Sequence, residues 1–154
     1  MELEDAMKGV AMKWVIICLG VISLFLLGCD SSIDYAMKMY MRDSTDRVEI
    51  LFNEGLVHKG MKPILAQTFM DRENMERVLS FITKRPAEFY KCGYSGEIIF
   101  MKDADRALTE RMKFNIEPGC EHIVYMFNRE LYSRKISKKG LEFLRELHDR
   151  VIKE

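Results

Sequence analysis

Hydrophobic positions along this chain fall into three kinds of pattern. From Trp14 to Leu27 they form one run, WVIICLGVISLFLL, with no charge inside it. After it the period turns to two. Ile33, Tyr35, Met37, Met39 and Met41 occupy every second position, Asp43-Ser44-Thr45-Asp46 supplies turn chemistry, and Val48, Ile50 and Phe52 resume the alternation. Period two is that of a half-buried strand, so 33–53 reads as a β-hairpin. Gly55 and Gly60 bracket a loop, and Ile64 to Phe69 form a further short strand. The third pattern is helical. Met75, Val78, Leu79 and Ile82 recur at i, i+3, i+4, i+7 behind Asp71 as a cap, and Lys84-Arg85-Pro86 closes the helix.

From Tyr90 the period returns to two. Ile98 and Phe100, with Ile99 and Met101 between and after them, suggest a central strand, whereas Met112, Phe114 and Ile116 alternate with Lys113, Asn115 and Glu117 and leave one face wet. Glu117-Pro118-Gly119-Cys120 fits a type II turn, with proline and glycine at its two central positions. Ile123, Tyr125 and Phe127 give the next strand, and Asn128-Arg129-Glu130 turns into Leu131–Ile136. Ser137 caps a last helix on which Leu141, Leu144, Leu147, His148 and Val151 make one stripe. The fold class is α+β: an antiparallel β-sheet with two α-helices packed on one face.

The N-terminal run is too short to span a bilayer, which takes about 20 apolar residues, and has the length of an export-signal core. Lys13 precedes it and Leu26-Leu27-Gly28-Cys29 ends it, followed by Asp30-Ser31-Ser32. That ending resembles the lipobox of bacterial lipoproteins. The resemblance implies a signal peptide over 1–28 and a diacylglyceryl-modified Cys29 as mature N-terminus. It further implies a lipidated start and short tether over 29–32, and one domain over 33–154. Met7 and Met12 are alternative starts, and beginning at Met12 replaces the acidic Glu2, Glu4 and Asp5 by an ordinary basic n-region. Acyl chains anchor because each buried CH₂ contributes about 0.8 kcal/mol. By the same resemblance Asp30 is an inner-membrane retention signal facing the periplasm; without that rule the destination is the outer membrane or the cell surface.

Composition narrows function further. The chain has 154 residues, and 24 Lys+Arg balance 24 Asp+Glu. Without residues 1–28, 22 basic side chains face 21 acidic ones. Neutrality argues against nucleic-acid binding, which uses a basic excess to neutralise phosphates. Once Cys18 leaves with the signal and Cys29 carries lipid, Cys92 and Cys120 remain, and in an oxidising compartment they read as one disulfide.

Candidate chemistry is sparse. Met37, Met39 and Met41 would project three thioethers from one strand face, a soft ligand set suited to Cu(I) or Ag(I), although the same spacing serves any core-facing strand. Cys120 and His122 at i, i+2 are the one nucleophile–base pair a thiol enzyme could use, with awkward reach. His58, His122 and His148 show no ligand spacing, and Gly93-Tyr94-Ser95-Gly96 reads as a glycine-rich bulge. The basic cluster Arg129, Arg134, Lys135, Lys138 and Lys139 could meet anionic headgroups or an acidic partner, and is otherwise a solvated hairpin and helix start. No cofactor motif is present. The expectation is a non-catalytic, membrane-anchored envelope lipoprotein that binds another envelope protein.

Overall fold

A computed structural model describes residues 29–53, 63–88, 92–102 and 105–152. The run 14–27, both alternative starts, His58 and the Gly55–Gly60 loop lie outside the described residues. Two compact units divide the chain, Met1–Ala36 and Met37–Glu154. Of the first, the described part is helical, the beginning of α1 (Cys29–Ser44). The sheet and the core belong to the second.

The expected hairpin over 33–53 is not formed. Its first arm is α1, which starts at Cys29, so the short tether expected over 29–32 is helical as well. The segment is dense in apolar residues and so satisfies either period. What decides is side-chain type: alanine, methionine, lysine and arginine are straight-chain or small helix formers, and Ile33 is the segment's lone β-branched residue. Met37 and Met41, one turn apart, are fully buried, and Thr45 ends the helix by donating its hydroxyl to the Met41 carbonyl.

Seven strands follow among the described residues. They are β1 (Arg47–Phe52), β2 (Ile64–Phe69), β3 (Ile82–Pro86), β4 (Gly96–Lys102), β5 (Asp105–Asn115), β6 (His122–Phe127) and β7 (Glu130–Ile136). They form one antiparallel sheet in the order β2-β1-β4-β5-β6-β7-β3. With α1, α2 (Arg72–Leu79) and α3 (Lys138–Ile152) the fold is α+β, with three helices among the described residues where the sequence pattern gave two.

Register shows why one face is the core. Val48, Ile50 and Phe52 stand opposite Phe100, Ile98 and Gly96; Ile98 and Gly96 oppose Met112 and Phe114; those oppose Tyr125 and Ile123. These side chains share a cluster with Met37 and Met41 of α1, Met75, Val78 and Leu79 of α2, and Leu144 and Leu147 of α3. Each such side chain, fully buried, contributes about 1.5–3 kcal/mol relative to exposure. All three helices thus meet the same face.

Helix α2 begins as expected. Asp71 accepts from the Asn74 N–H at 2.8 Å, and the Asn74 side-chain amide and N–H together hold its carboxyl below the usual range. It ends early, at Leu79, where the Ser80 N–H donates to Glu76 and Arg77 carbonyls and its hydroxyl to Arg77. Ile82 then enters β3 opposite Ile136, so the residue that completes the helical stripe is a strand residue instead. Ile82-Thr83 are both β-branched, which suits a pleated surface better than a fourth helical turn.

Gly96 is where packing leaves no room. It lies between Phe52 and Phe114 in the register, and those rings meet edge to face with centroids 5.5 Å apart. A methyl group there would overlap the Leu51 carbonyl oxygen and sit 2.7 Å from Phe114 Cζ. Gly96→Ala is therefore expected to cost about 3 kcal/mol, the upper range for overpacking a core. A lowered urea midpoint of the full chain in non-ionic detergent would show it; an unchanged midpoint would mean β1 and β4 are looser than their register implies.

Candidate functional site

On the face of the sheet away from the helices, one corner is polar and yet buried. Asn115, at the end of β5, and His122, opposite it at the start of β6, are each 1% exposed. The turn between them takes the expected form: the Cys120 N–H donates to the Glu117 carbonyl at 2.9 Å, and Gly119 has a φ of +86°, where a side chain would be strained. Cys120 is joined to Cys92, with Cα atoms 6.4 Å apart. The disulfide ties this turn to residues 92–95, which lead into β4.

Hydrogen bonds then fix the 92–95 segment. Asn115 Nδ2 donates to the Gly93 carbonyl, its Oδ1 accepts from the Glu117 N–H, and the Ser95 hydroxyl accepts from the Ile116 N–H. Asn53 donates to the Tyr94 carbonyl, and the Tyr94 ring lies 5.8 Å from His122 and under the Lys113 ammonium at 5.4 Å. The glycine-rich stretch 93–96 is thus a pinned connection ending in the first residue of β4. From α3, Arg145 donates twice to the Ile116 carbonyl and once to Glu121 at 3.1 Å. Burial pushes the Glu121 carboxyl up, but its own N–H, Arg145 and the Gly119 N–H outweigh that and hold it below its ordinary value of 4.5.

This arrangement assigns most of the candidate residues to structure. The sulfur of Cys120 is bonded to Cys92, and His122 Nδ1 donates to the Cys120 carbonyl at 2.6 Å. The proposed thiol–imidazole pair is accordingly a disulfide and a turn-bracing histidine. Met37, Met39 and Met41 lie on a helix, where Met39 points about 200° around the axis from Met37. The strand that would have aligned three thioethers is absent; Met37 and Met41 pack in the core and Met39 is half-buried. Among the described residues no group of three or more His, Cys, Asp or Glu is placed to hold a metal. His148 is half-buried, its ring edge to face with Phe52 at 5.0 Å. The basic cluster is dispersed: Arg134 is buried beside Tyr132, and Lys138 reaches Glu142 on the helix surface.

A second region went unmarked in the sequence pattern. The β6–β7 hairpin turns through Asn128 and Arg129, with φ of +51° and +66°. Two consecutive positive φ values make the primed two-residue turn that suits strand twist; asparagine tolerates that conformation, and arginine does so at a cost. Beside the turn Met126 and Leu131 face each other across the strands on the solvent side, 58% and 55% exposed. On the other side of the hairpin Phe127 lies 6.2 Å from Tyr40 of α1. Tyr40, Glu110, Met126, Phe127, Asn128 and Arg129 line an open notch of about 390 Å³. Sequence did carry a signal for Met126 and Leu131: both are apolar at positions where the alternation calls for a polar residue.

Among the described residues no helix is long and apolar enough to cross a membrane. Compared with protein-family models, with curated proteins and with solved structures, the chain matches none.

The disulfide closes a sequence separation of 28 residues, so Cys92→Ser/Cys120→Ser should lower stability by roughly 3–4 kcal/mol by urea unfolding. No loss would mean that the Asn115 network holds the corner unaided. Acid should act through Glu121. Its stabilising contribution is present above pH 4.5 and disappears as pH falls through the lowered folded value. Glu121→Gln should therefore flatten the decline of thermal midpoint below pH 4.5, and a decline as steep as the parent's would remove Glu121 from the acid limb.

Proposed function

We propose that the chain is a membrane-anchored bacterial envelope lipoprotein, non-catalytic, that binds another envelope protein through the end of the β6–β7 hairpin. The address rests on sequence: Lys13, the apolar run and Leu26-Leu27-Gly28-Cys29, with Cys29 as lipid attachment point. A disulfide at Cys92–Cys120 suits an oxidising compartment. The observation that carries the binding role is the cross-strand pair Met126–Leu131, more than half exposed on the sheet face away from the helices. Contiguous apolar surface of this kind is costly to leave in water and is characteristic of docking sites. Arg129 supports the same reading. Backbone strain is tolerated where a side chain must be presented, and here the strained residue lines the same notch as Met126 and Glu110.

One experiment tests both halves. A photo-crosslinking residue at position 126 or 131 of the full chain, irradiated in intact cells and purified from detergent-solubilised membranes, should give one discrete protein adduct. Intact mass of this chain should correspond to a start at Cys29, heavier by acyl groups and lighter by two hydrogens until reduced. Absence of an adduct from both positions sinks the docking role, and a full-length, unacylated chain sinks the anchor.

A further inference from the structure

The sheet has two edges, and they are built differently. At one end β3 carries Lys84, Arg85 and Pro86, all exposed, and pairs with β7 at two register positions with an irregularity between them. Charge, proline and broken register are the devices by which natural sheets keep an edge from recruiting another strand. At the other end β2 lacks the first two, and its pairing with β1 shifts register once, between Ile50 and Leu51. Ile64-Leu65-Ala66-Gln67-Thr68-Phe69 contains no charge and no proline, and among the described residues its one strand partner is β1. Leu65 is 53% exposed, and Met70, which follows the strand, is 64% exposed.

A strand edge presents N–H and C=O groups that another extended strand can satisfy, and its side chains select which one. An edge without charge offers no handle for a charged peptide and imposes no penalty on an identical strand. A second copy also meets no long-range repulsion, because the formal charge of the chain is zero. Antiparallel pairing of β2 with its own copy obeys a two-fold axis and continues the all-antiparallel order through β1-β2-β2-β1. We infer that the occupant of the β2 edge is the β2 edge of a second copy, giving a homodimer with one fourteen-stranded sheet. The inference rests on the sheet alone and stands apart from the hairpin docking surface and the lipid anchor.

Sedimentation velocity of the full chain in non-ionic detergent tests it. The parent chain should reach a dimer with rising concentration, and Leu65→Lys or Thr68→Lys should raise the concentration of half-association at least tenfold. Leu65 is exposed enough to accept lysine without entering the core. A wild-type measurement guards against misfolding of the variants: amides of residues 64–69 should exchange more slowly above the association midpoint than below it, and those of 82–86 should not change. Three results would overturn the inference. They are a monomer at every concentration, a dimer indifferent to both lysines and to exchange at 64–69, and a dimer separated by Met126→Asp while Leu65→Lys leaves it intact.

Discussion

A seven-stranded antiparallel sheet has two faces, and the helices among the described residues cover one of them. That constraint organises the rest. The covered face collects Val48, Ile50, Phe52, Ile98, Phe100, Met112, Phe114, Ile123 and Tyr125 into one cluster with side chains from all three helices. The helices are short, 8 residues in α2 and 15 in α3, so isolated they would be marginal; the apolar face of the sheet is what makes them stable. Gly96 shows how closely neighbouring strands fit, since a side chain there would meet the Leu51 carbonyl oxygen and the Phe114 ring.

On the opposite face no helix packs among the described residues. At one corner the chain lays residues 92–95 across it, and the Tyr94 ring, beside His122 and Lys113, is that connection's one large apolar contact. Asn115 and Ser95 supply directional bonds besides, and the Cys92–Cys120 link removes the alternative in which the segment drifts away. Buried polar groups are tolerable only when satisfied, and Asn115 is satisfied on both sides of its amide. Arg145 extends the same logic from α3, bracing the turn through the Ile116 carbonyl and Glu121. His122 is part of this bracing, which is why its nearness to Cys120 in sequence looked like chemistry and is architecture.

What could be read from the sequence followed from how uniquely each segment answered to one period. Strands β4 to β7, the Pro118-Gly119 turn and the Ser137 cap of α3 were legible because alternation, turn residues and caps agreed with one another. Residues 33–41 were not, since apolar side chains stand at seven of those nine positions and fit a helix and a strand alike. Only the scarcity of β-branched residues distinguished them, and period alone does not weigh that. Ile82 misled for the opposite reason: it completed a helical stripe, yet the capping Ser80 and β-branched Thr83 favoured a strand. The candidate surface at Met126 and Leu131 was hidden because attention to a stripe discards the residues between its members.

On the proposed reading, those between-stripe residues and the sheet edges are what gives a neutral protein its selectivity. Where a surface could recruit indiscriminately, this chain is charged or broken, as at Lys84, Arg85 and Pro86. Among the described residues of the sheet, the β2 edge and the Met126–Leu131 pair stay apolar and exposed, and they lie at different places in the strand order. The β2 edge offers backbone hydrogen bonds and can select by strand geometry. The hairpin end offers a convex apolar pair beside a strained arginine and can select by shape and by one charge. On the proposed reading the two surfaces act separately, each restricting by its own geometry what can bind there.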